Sequence, residues 1–225
     1  MNFILIEDHN LVRQGVSKII EEKSSFKCVG TFASVAETKN FLESYRTCSN
    51  ASENGANTAP DELSTNTTLL CIVDINLGGP DESAEDGLSL IRFIKENYQN
   101  IYCICYSMFK GAGIVEQAVR AGAVGYVSKN ADLEILLEAM EKADKGKFFM
   151  EESLTSDYVV YTNLYNSLTK REKELAGLFF QNKNEEQIAQ IMCITPRAVE
   201  NYMSRILSKL GVASKKELIK KFGDQ

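Results

Sequence analysis

Apolar residues recur along this chain in two alternating patterns. Short runs at 2–6 (NFILI), 28–32, 69–73 (LLCIV), 101–106 and 124–127 have the length and density of buried strands. Between them, residues 10–22, 35–45, 87–97, 112–120 and 132–144 repeat apolar positions at helical spacing, as in Leu11, Val12, Val16, Ile19 and Ile20. Five strands alternating with five amphipathic helices predict a parallel sheet covered on both faces. Right-handed crossovers make this a doubly wound α/β domain over residues 1–145, with the expected strand order 2-1-3-4-5. The pattern then changes. A linker at 146–166 holds a possible short helix at 153–163, and helical periods at 170–181, 185–192, 196–210 and 214–222 predict a small all-α domain over 167–225.

Two stretches interrupt the first domain. Residues 46–67 (RTCSNASENGANTAPDELSTNT) carry Leu63 as their only large aliphatic side chain, so they form no core and are expected to be mobile. Residues 78–86 (GGPDESAED) form a second, acidic insertion.

Composition adds three constraints. A length of 225 residues suits two domains of the usual ~100–150 residues. The net charge of −6 hides a split: residues 1–165 hold 14 basic and 24 acidic side chains, residues 166–225 hold 11 and 7. An acidic front and a basic tail imply different partners, the tail suiting nucleic acid or another acidic surface. No apolar run approaches a membrane span, and the opening MNFILIED meets acids too early for a signal peptide. The six cysteines contain no CxxC pair, and Cys71, Cys103 and Cys105 lie within apolar runs, so a reduced, cytoplasmic protein is expected. The single histidine, His9, excludes a multi-histidine metal site and disfavours a Ser-His-Asp centre.

The candidate chemistry sits where the strands end. Glu7-Asp8 closes the first strand and Asp74 the third, and these strands are neighbours in the expected order. Three carboxylates in one crevice repel unless a hard divalent cation takes their oxygens, and Mg²⁺ is the expected ion. Ser107 follows the fourth strand and Lys129 the fifth, adding a hydroxyl and an ammonium. A carboxylate nucleophile, a metal and a lysine suit phosphoryl transfer, where catalysis is chiefly positioning and charge neutralisation. Each residue alone would read as a solvated loop position; their joint placement carries the argument.

These segments resemble a known family. FILIEDHNLVRQG is similar to the opening of receiver domains in two-component response regulators of the NarL/FixJ type. IVDIN resembles their phosphoacceptor strand, CYSM their hydroxyl strand, and AGAVGYVSK their last strand. Ser107, Tyr126 and Lys129 stand 19 and then 3 residues apart, as in that family. The resemblance implies a flavodoxin-like receiver in which Asp74 accepts phosphate from a sensor histidine kinase. It implies Mg²⁺ held by Asp8, by Glu7 through water, by Asp74 and by the Asn76 carbonyl. Lys129 would then pair with the phosphoryl oxygens, and Ser107 and Tyr126 would follow as switch residues. His9 reads as a first-turn helix residue outside the ligand set. Two departures are visible: Gly78 stands where the family usually has proline, and the path from Asp74 to Gly87 spans 13 residues, about five more than usual.

The tail carries its own signature. Thr169 with Glu172, and Asn184 with Gln187, have capping-box spacing, and Pro196 suits the first position of a helix. A short helix, a turn and a longer helix give helix-turn-helix geometry. LTKREKE, the Ile188-Ala189 pair and KLGV resemble the LuxR-type helix-turn-helix. By that resemblance, helix 196–210 enters the major groove, with Thr195, Arg197, Glu200, Asn201, Ser204, Arg205 and Lys209 as candidate DNA-binding residues. Val199, Met203, Ile206 and Leu210 would face the core.

The expectation is therefore a DNA-binding transcriptional response regulator, not an autonomous enzyme, driven by phosphoryl transfer to Asp74. Its partners would be a sensor histidine kinase, double-stranded DNA, a second copy in a phosphorylation-dependent homodimer and, as a further possibility, RNA polymerase; no membrane is expected. One rival is a phosphorylation-independent DNA-binding regulator with a receiver-like interaction domain. A nucleotide- or flavin-binding α/β domain would need glycines after the first strand, where EDHNLVRQG offers acids. A hydrolase would need a histidine base near Asp74, and the sequence offers only His9.

Overall fold

A computed structural model describes residues 1–52, 68–77 and 86–223, with backbone alone over 46–52. Ten helices and six strands alternate along these residues: β1 (Asn2–Ile6), α1 (Asn10–Lys23), β2 (Lys27–Phe32), α2 (Val35–Ser52), β3 (Leu69–Val73), α3 (Gly87–Asn97), β4 (Ile101–Ser107), α4 (Ala112–Ala121), β5 (Gly125–Ser128), α5 (Leu133–Asp144), β6 (Phe149–Met150), α6 (Glu152–Tyr165), α7 (Lys170–Phe180), α8 (Glu185–Ile191), α9 (Pro196–Lys209) and α10 (Lys215–Phe222). The sheet runs β2-β1-β3-β4-β5-β6, with β2, β1, β3, β4 and β5 parallel to one another. The chain divides into two compact units, Met1–Ser107 with Ala121–Phe149, and Met108–Arg120 with Met150–Gln225.

In the first unit β3 is buried along its whole length, as an unbroken apolar run between two strands requires. Phe3, Leu5, Leu70, Ile72, Ile104 and Tyr106 face Ile20 of α1 and Leu136, Ala139 and Met140 of α5 in one core cluster. Helix α3 begins at Asp86, whose carboxylate accepts from the Ser89 amide at 2.8 Å, and it buries Leu88, Leu90, Ile91 and Ile94.

Two expectations need correction. The sheet has six strands, not five: past Gly146, whose φ of +65° turns the chain, Phe149 N–H donates to the Val124 carbonyl at 3.0 Å. A two-residue strand is too short to leave an apolar-run signal, so this segment reads as linker. Helix α2 continues seven residues into the polar stretch, to Ser52, because Arg46–Ser52 contains neither proline nor glycine to stop it. The expectation of mobility for the rest of that insertion, and the acidic insertion at 78–85 with Gly78, lie outside the described residues. None of the described helices is long and apolar enough to cross a membrane.

The second unit is built around Tyr161 of α6. Its ring centroid lies 5.2 Å from that of Tyr165, 5.8 Å from Phe180 and 5.1 Å from Phe222, so α6, α7 and α10 share one aromatic centre. Helix α4 belongs here. A Cβ placed on Gly113 would meet the Phe180 ring at 2.5 Å, and one on Gly111 would meet the backbone of Gly223. Arg120 lies over the Tyr165 ring at 5.6 Å.

Candidate functional site

Strand register assembles the acidic crevice. Ile6 pairs with Val73, and the Asp74 amide donates to the Ile6 carbonyl at 3.0 Å, so the residues that follow β1 and β3 emerge side by side. Lys129, just past β5, donates its amide to the Ser107 carbonyl at 2.9 Å. Its ammonium is 2.6 Å from Asp74 Oδ2 and also bonds Glu7 Oε2. Burial pulls the Lys129 ammonium towards neutrality, but hydrogen bonds and charge from Asp74 and Glu7 outweigh it and raise its pKa above the ordinary lysine value. Lysine is therefore a fixed cation between two buried carboxylates.

Glu7 has a second partner. His9 Nδ1 lies 3.1 Å from Glu7 Oε1 and 2.8 Å from Asp8 Oδ1, and the His9 amide donates to Glu7 Oε1. The Asp8 charge, together with the hydrogen bond to Glu7, raises the His9 pKa. His9 thus joins the acidic cluster, with Glu7, Asp8 and His9 donor atoms all within 4.8 Å of one another. Set as the N-cap before α1, it turns its ring back over the strand end, which helical spacing alone did not reveal. Arg13, unremarked in the sequence, anchors the same turn by donating to the Glu7 carbonyl at 2.5 Å.

The remaining predicted residues stand on or just after the neighbouring strands. The Asn76 amide donates to Asp74 Oδ1 at 3.2 Å, which fixes that carboxylate's orientation. Ser107, the last residue of β4, and Tyr126, on β5 opposite Cys105, are both fully buried. Asp8 Oδ1 is buried without a hydrogen bond of acceptable geometry, although the His9 nitrogen is near.

In the tail, both capping boxes form at Thr169/Glu172 and Asn184/Gln187. Thr195 caps α9 by accepting from the Ala198 amide at 3.2 Å, with Pro196 at the first helical position. Val199, Met203, Ile206 and Leu210 are buried, leaving Arg197, Glu200, Asn201, Ser204 and Arg205 exposed along the opposite face. Arg205 lies 5.8 Å from the Tyr202 ring centroid. Among the described residues neither Arg197 nor Glu200 forms an ion pair. Lys209 differs from the others: its ammonium is 2.6 Å from the buried Glu172 carboxylate and 3.4 Å from the Ser167 carbonyl. The helical period placed Lys209 on a polar face but did not reveal this bond across 37 residues of chain.

Comparison with known proteins agrees with this geometry. Residues 33–141 match the response regulator receiver domain family, and residues 166–222 match the luxR family of bacterial regulatory proteins. The oxygen regulatory protein NreC of Staphylococcus aureus is 26% identical, over 97% of this chain and 95% of its own. Two structures of RcsB from Salmonella enterica serovar Typhimurium share the fold. The one bound to promoter rprA has a TM-score of 0.64 at 21% identity, covering 98% of each chain. The one bound to promoter P1flhDC has a TM-score of 0.63 at 23% identity, covering 98% of this chain and 97% of its own. A receiver sheet carrying the acidic crevice, followed by a luxR-type helix-turn-helix, places this chain among the DNA-binding response regulators of two-component systems.

Proposed function

We propose that Asp74 accepts a phosphoryl group from the phosphohistidine of a sensor histidine kinase. A carboxylate oxygen of Asp74 forms the new bond to phosphorus as the histidine N–P bond breaks. The observation that carries this reading is Lys129, held between Asp74 and Glu7, because the transferred group brings ~−1.5 to −2 charges that a fixed ammonium neutralises. Ser107 and Tyr126 complete the pocket as hydroxyl and aromatic switch residues. The donor set fits Mg²⁺: hard oxygens from Glu7, Asp8 and Asp74, with Asp8 Oδ1 left without a hydrogen bond, and the Asn76 carbonyl as a further ligand. When bound, the ion supplies further neutralisation of phosphoryl oxygens. Intact-mass measurement after treatment with acetyl phosphate and Mg²⁺ should show one added phosphoryl on wild type and none on Asp74→Asn. Equal labelling of both overturns the assignment.

The output is transcriptional control by DNA binding in the cytoplasm, with α9 as recognition helix. Arg197, Glu200, Asn201, Ser204 and Arg205 present donors and acceptors to the groove, while Thr195 serves chiefly as the helix cap. Lys209 is committed to Glu172, so its contribution is to hold α9 in place, not to contact phosphate. Packing of α4 against Phe180 and Gly223 favours α4 as the element through which phosphorylation acts, freeing the tail for a homodimer on paired half-sites. RNA polymerase is the further partner this output implies.

Glu200 provides a sharp test within the interface. With no ion pair among the described residues, its carboxylate repels phosphate and can only accept a hydrogen bond, best from a cytosine amino group. Glu200→Ala should keep or raise non-specific affinity and relax discrimination at one base position by ~1–3 kcal/mol. Binding-site selection on both proteins checks this; an unchanged motif with an unchanged salt slope removes Glu200 from the readout.

A further inference from the structure

Three cysteines of the receiver sheet take no part in phosphoryl chemistry. Leu70, Ile72, Ile104 and Tyr106 face the core under α1 and α5, so by strand alternation Cys71, Cys103 and Cys105 all face the other side of the sheet. Cys71 of β3 and Cys103 of β4 are register partners, directly opposite on adjacent parallel strands. Neighbouring strands lie about 4.8 Å apart, within the range of about 4.4–6.8 Å over which two Cα atoms can carry a disulfide.

Buried thiols are ordinarily inert for want of access, but this pair has an approach. A cavity of about 140 Å³ is lined by Cys103, Tyr102, Lys95, Tyr98, Gly122 and Val124. That volume holds a molecule the size of water or hydrogen peroxide. Cys103 is among the residues that line it, whereas Cys71 is wholly buried and is not.

We propose that Cys71 and Cys103 form a peroxide-reactive dithiol, with Cys103 the thiol attacked first and Cys71 the one that resolves it. The Cys103 sulfur bonds one oxygen of a hydroperoxide as the O–O bond breaks. The sulfur is oxidised to a sulfenic acid, the peroxide is reduced, and the departing oxygen leaves as water or alcohol with the Cys103 proton. The Cys71 sulfur then bonds Cys103, the S–O bond breaks, and the hydroxyl leaves as water carrying the Cys71 proton. With hydrogen peroxide the balance is two thiols and one peroxide to one disulfide and two waters. Burial raises the Cys71 thiol well above its usual pKa, which makes this second step the slow one. The crosslink would tie β3 to β4 three residues before Asp74 and four before Ser107, the strands that carry the phosphoacceptor and the switch hydroxyl.

The test uses the full-length reduced protein exposed to hydrogen peroxide, then denatured in N-ethylmaleimide and mapped by peptide mass spectrometry. The expected product is a peptide joining Cys71 to Cys103 that dithiothreitol separates. Cys71→Ser should instead yield a dimedone adduct at Cys103, and Cys103→Ser should leave Cys71 fully alkylated. The proposal is overturned if wild-type Cys71 and Cys103 are both alkylated after a dose that oxidises the exposed Cys193. It is equally overturned if Cys103 couples to Cys105 or any other cysteine.

Discussion

Gly87→Ala should disable the phosphoacceptor while leaving the helix-turn-helix able to fold. Gly87 opens α3, and its amide donates to the Ile75 carbonyl at 3.0 Å, so the helix starts directly against the loop that follows β3. A Cβ at this position would overlap the Asp74 carbonyl oxygen and come within 2.8 Å of the Asp74 carbonyl carbon and Ile75 Cα. Those atoms are backbone at the end of a fully buried strand and cannot swing aside as a side chain would. Either α3 or the Asp74 turn must move. Overpacking of a tight core costs ~1–3 kcal/mol, more where only backbone can yield. The same shift carries Asp74 away from Lys129, where 1 Å of misplacement is worth ~100-fold in rate. Phosphorylation by acetyl phosphate should therefore fall ~100-fold, with a lowered receiver melting transition. Gly15→Ala is the matched control, because a Cβ there meets nothing within 4 Å and alanine is the better helix former. It should leave phosphorylation unchanged and stability equal or higher. Equal behaviour of the two variants would contradict the close approach at Gly87.

The second large effect belongs to Glu172. Its carboxylate receives the Thr169 amide at 2.7 Å to close the α7 capping box and the Lys209 ammonium at 2.6 Å to pin the end of α9. One buried side chain therefore joins the start of α7 to the last turn of the recognition helix. Burial alone would raise its pKa; hydrogen bonds from Lys209 and Thr169 prevail and hold it below the usual glutamate value. Glu172→Ala removes a cap and a charge-assisted bond together, costing ~3 kcal/mol. For a domain of this size that is ~12–24 °C in melting temperature. Glu172→Gln keeps the capping geometry but not the charge, so it should cost less. The pH dependence follows from a depressed carboxyl pKa. The stabilisation is full above the unfolded glutamate value near 4.5 and is lost as pH falls through the lower folded value. The gap between wild type and Glu172→Gln should accordingly narrow only in acid. A gap constant from neutral pH to pH 3 would show that the charge contributes nothing.

Much of this was legible in the residues. The apolar runs and helical periods placed the ten helices and first five strands, since β3 and the inward face of α9 have to be apolar where they are buried. Capping spacings marked the starts of α7 and α8 because a cap is a local bond between residues three apart. What stayed hidden depends on contacts far apart in sequence or on backbone geometry. The Glu172–Lys209 bond spans 37 residues, the Cys71–Cys103 alignment depends on strand register, and the folding back of His9 depends on the turn that Arg13 anchors. Gly87 looked like the end of a loop, and only the nearness of Asp74 explains why a side chain is excluded there. Likewise, nothing in the helical period of residues 112–121 shows that α4 packs with Phe180 and Gly223.

The central claim is that phosphate on Asp74 controls the DNA-binding surface of α9. Footprinting on a selected operator, with wild type and Asp74→Asn each treated with acetyl phosphate and Mg²⁺ or left untreated, tests it most directly. The account predicts that the phosphodonor raises wild-type protection at least ~10-fold in apparent affinity, ~1.4 kcal/mol, on paired half-sites, and leaves Asp74→Asn unchanged. Equal protection by wild type with and without the phosphodonor, at a protein concentration where intact mass shows Asp74 fully phosphorylated, would contradict it.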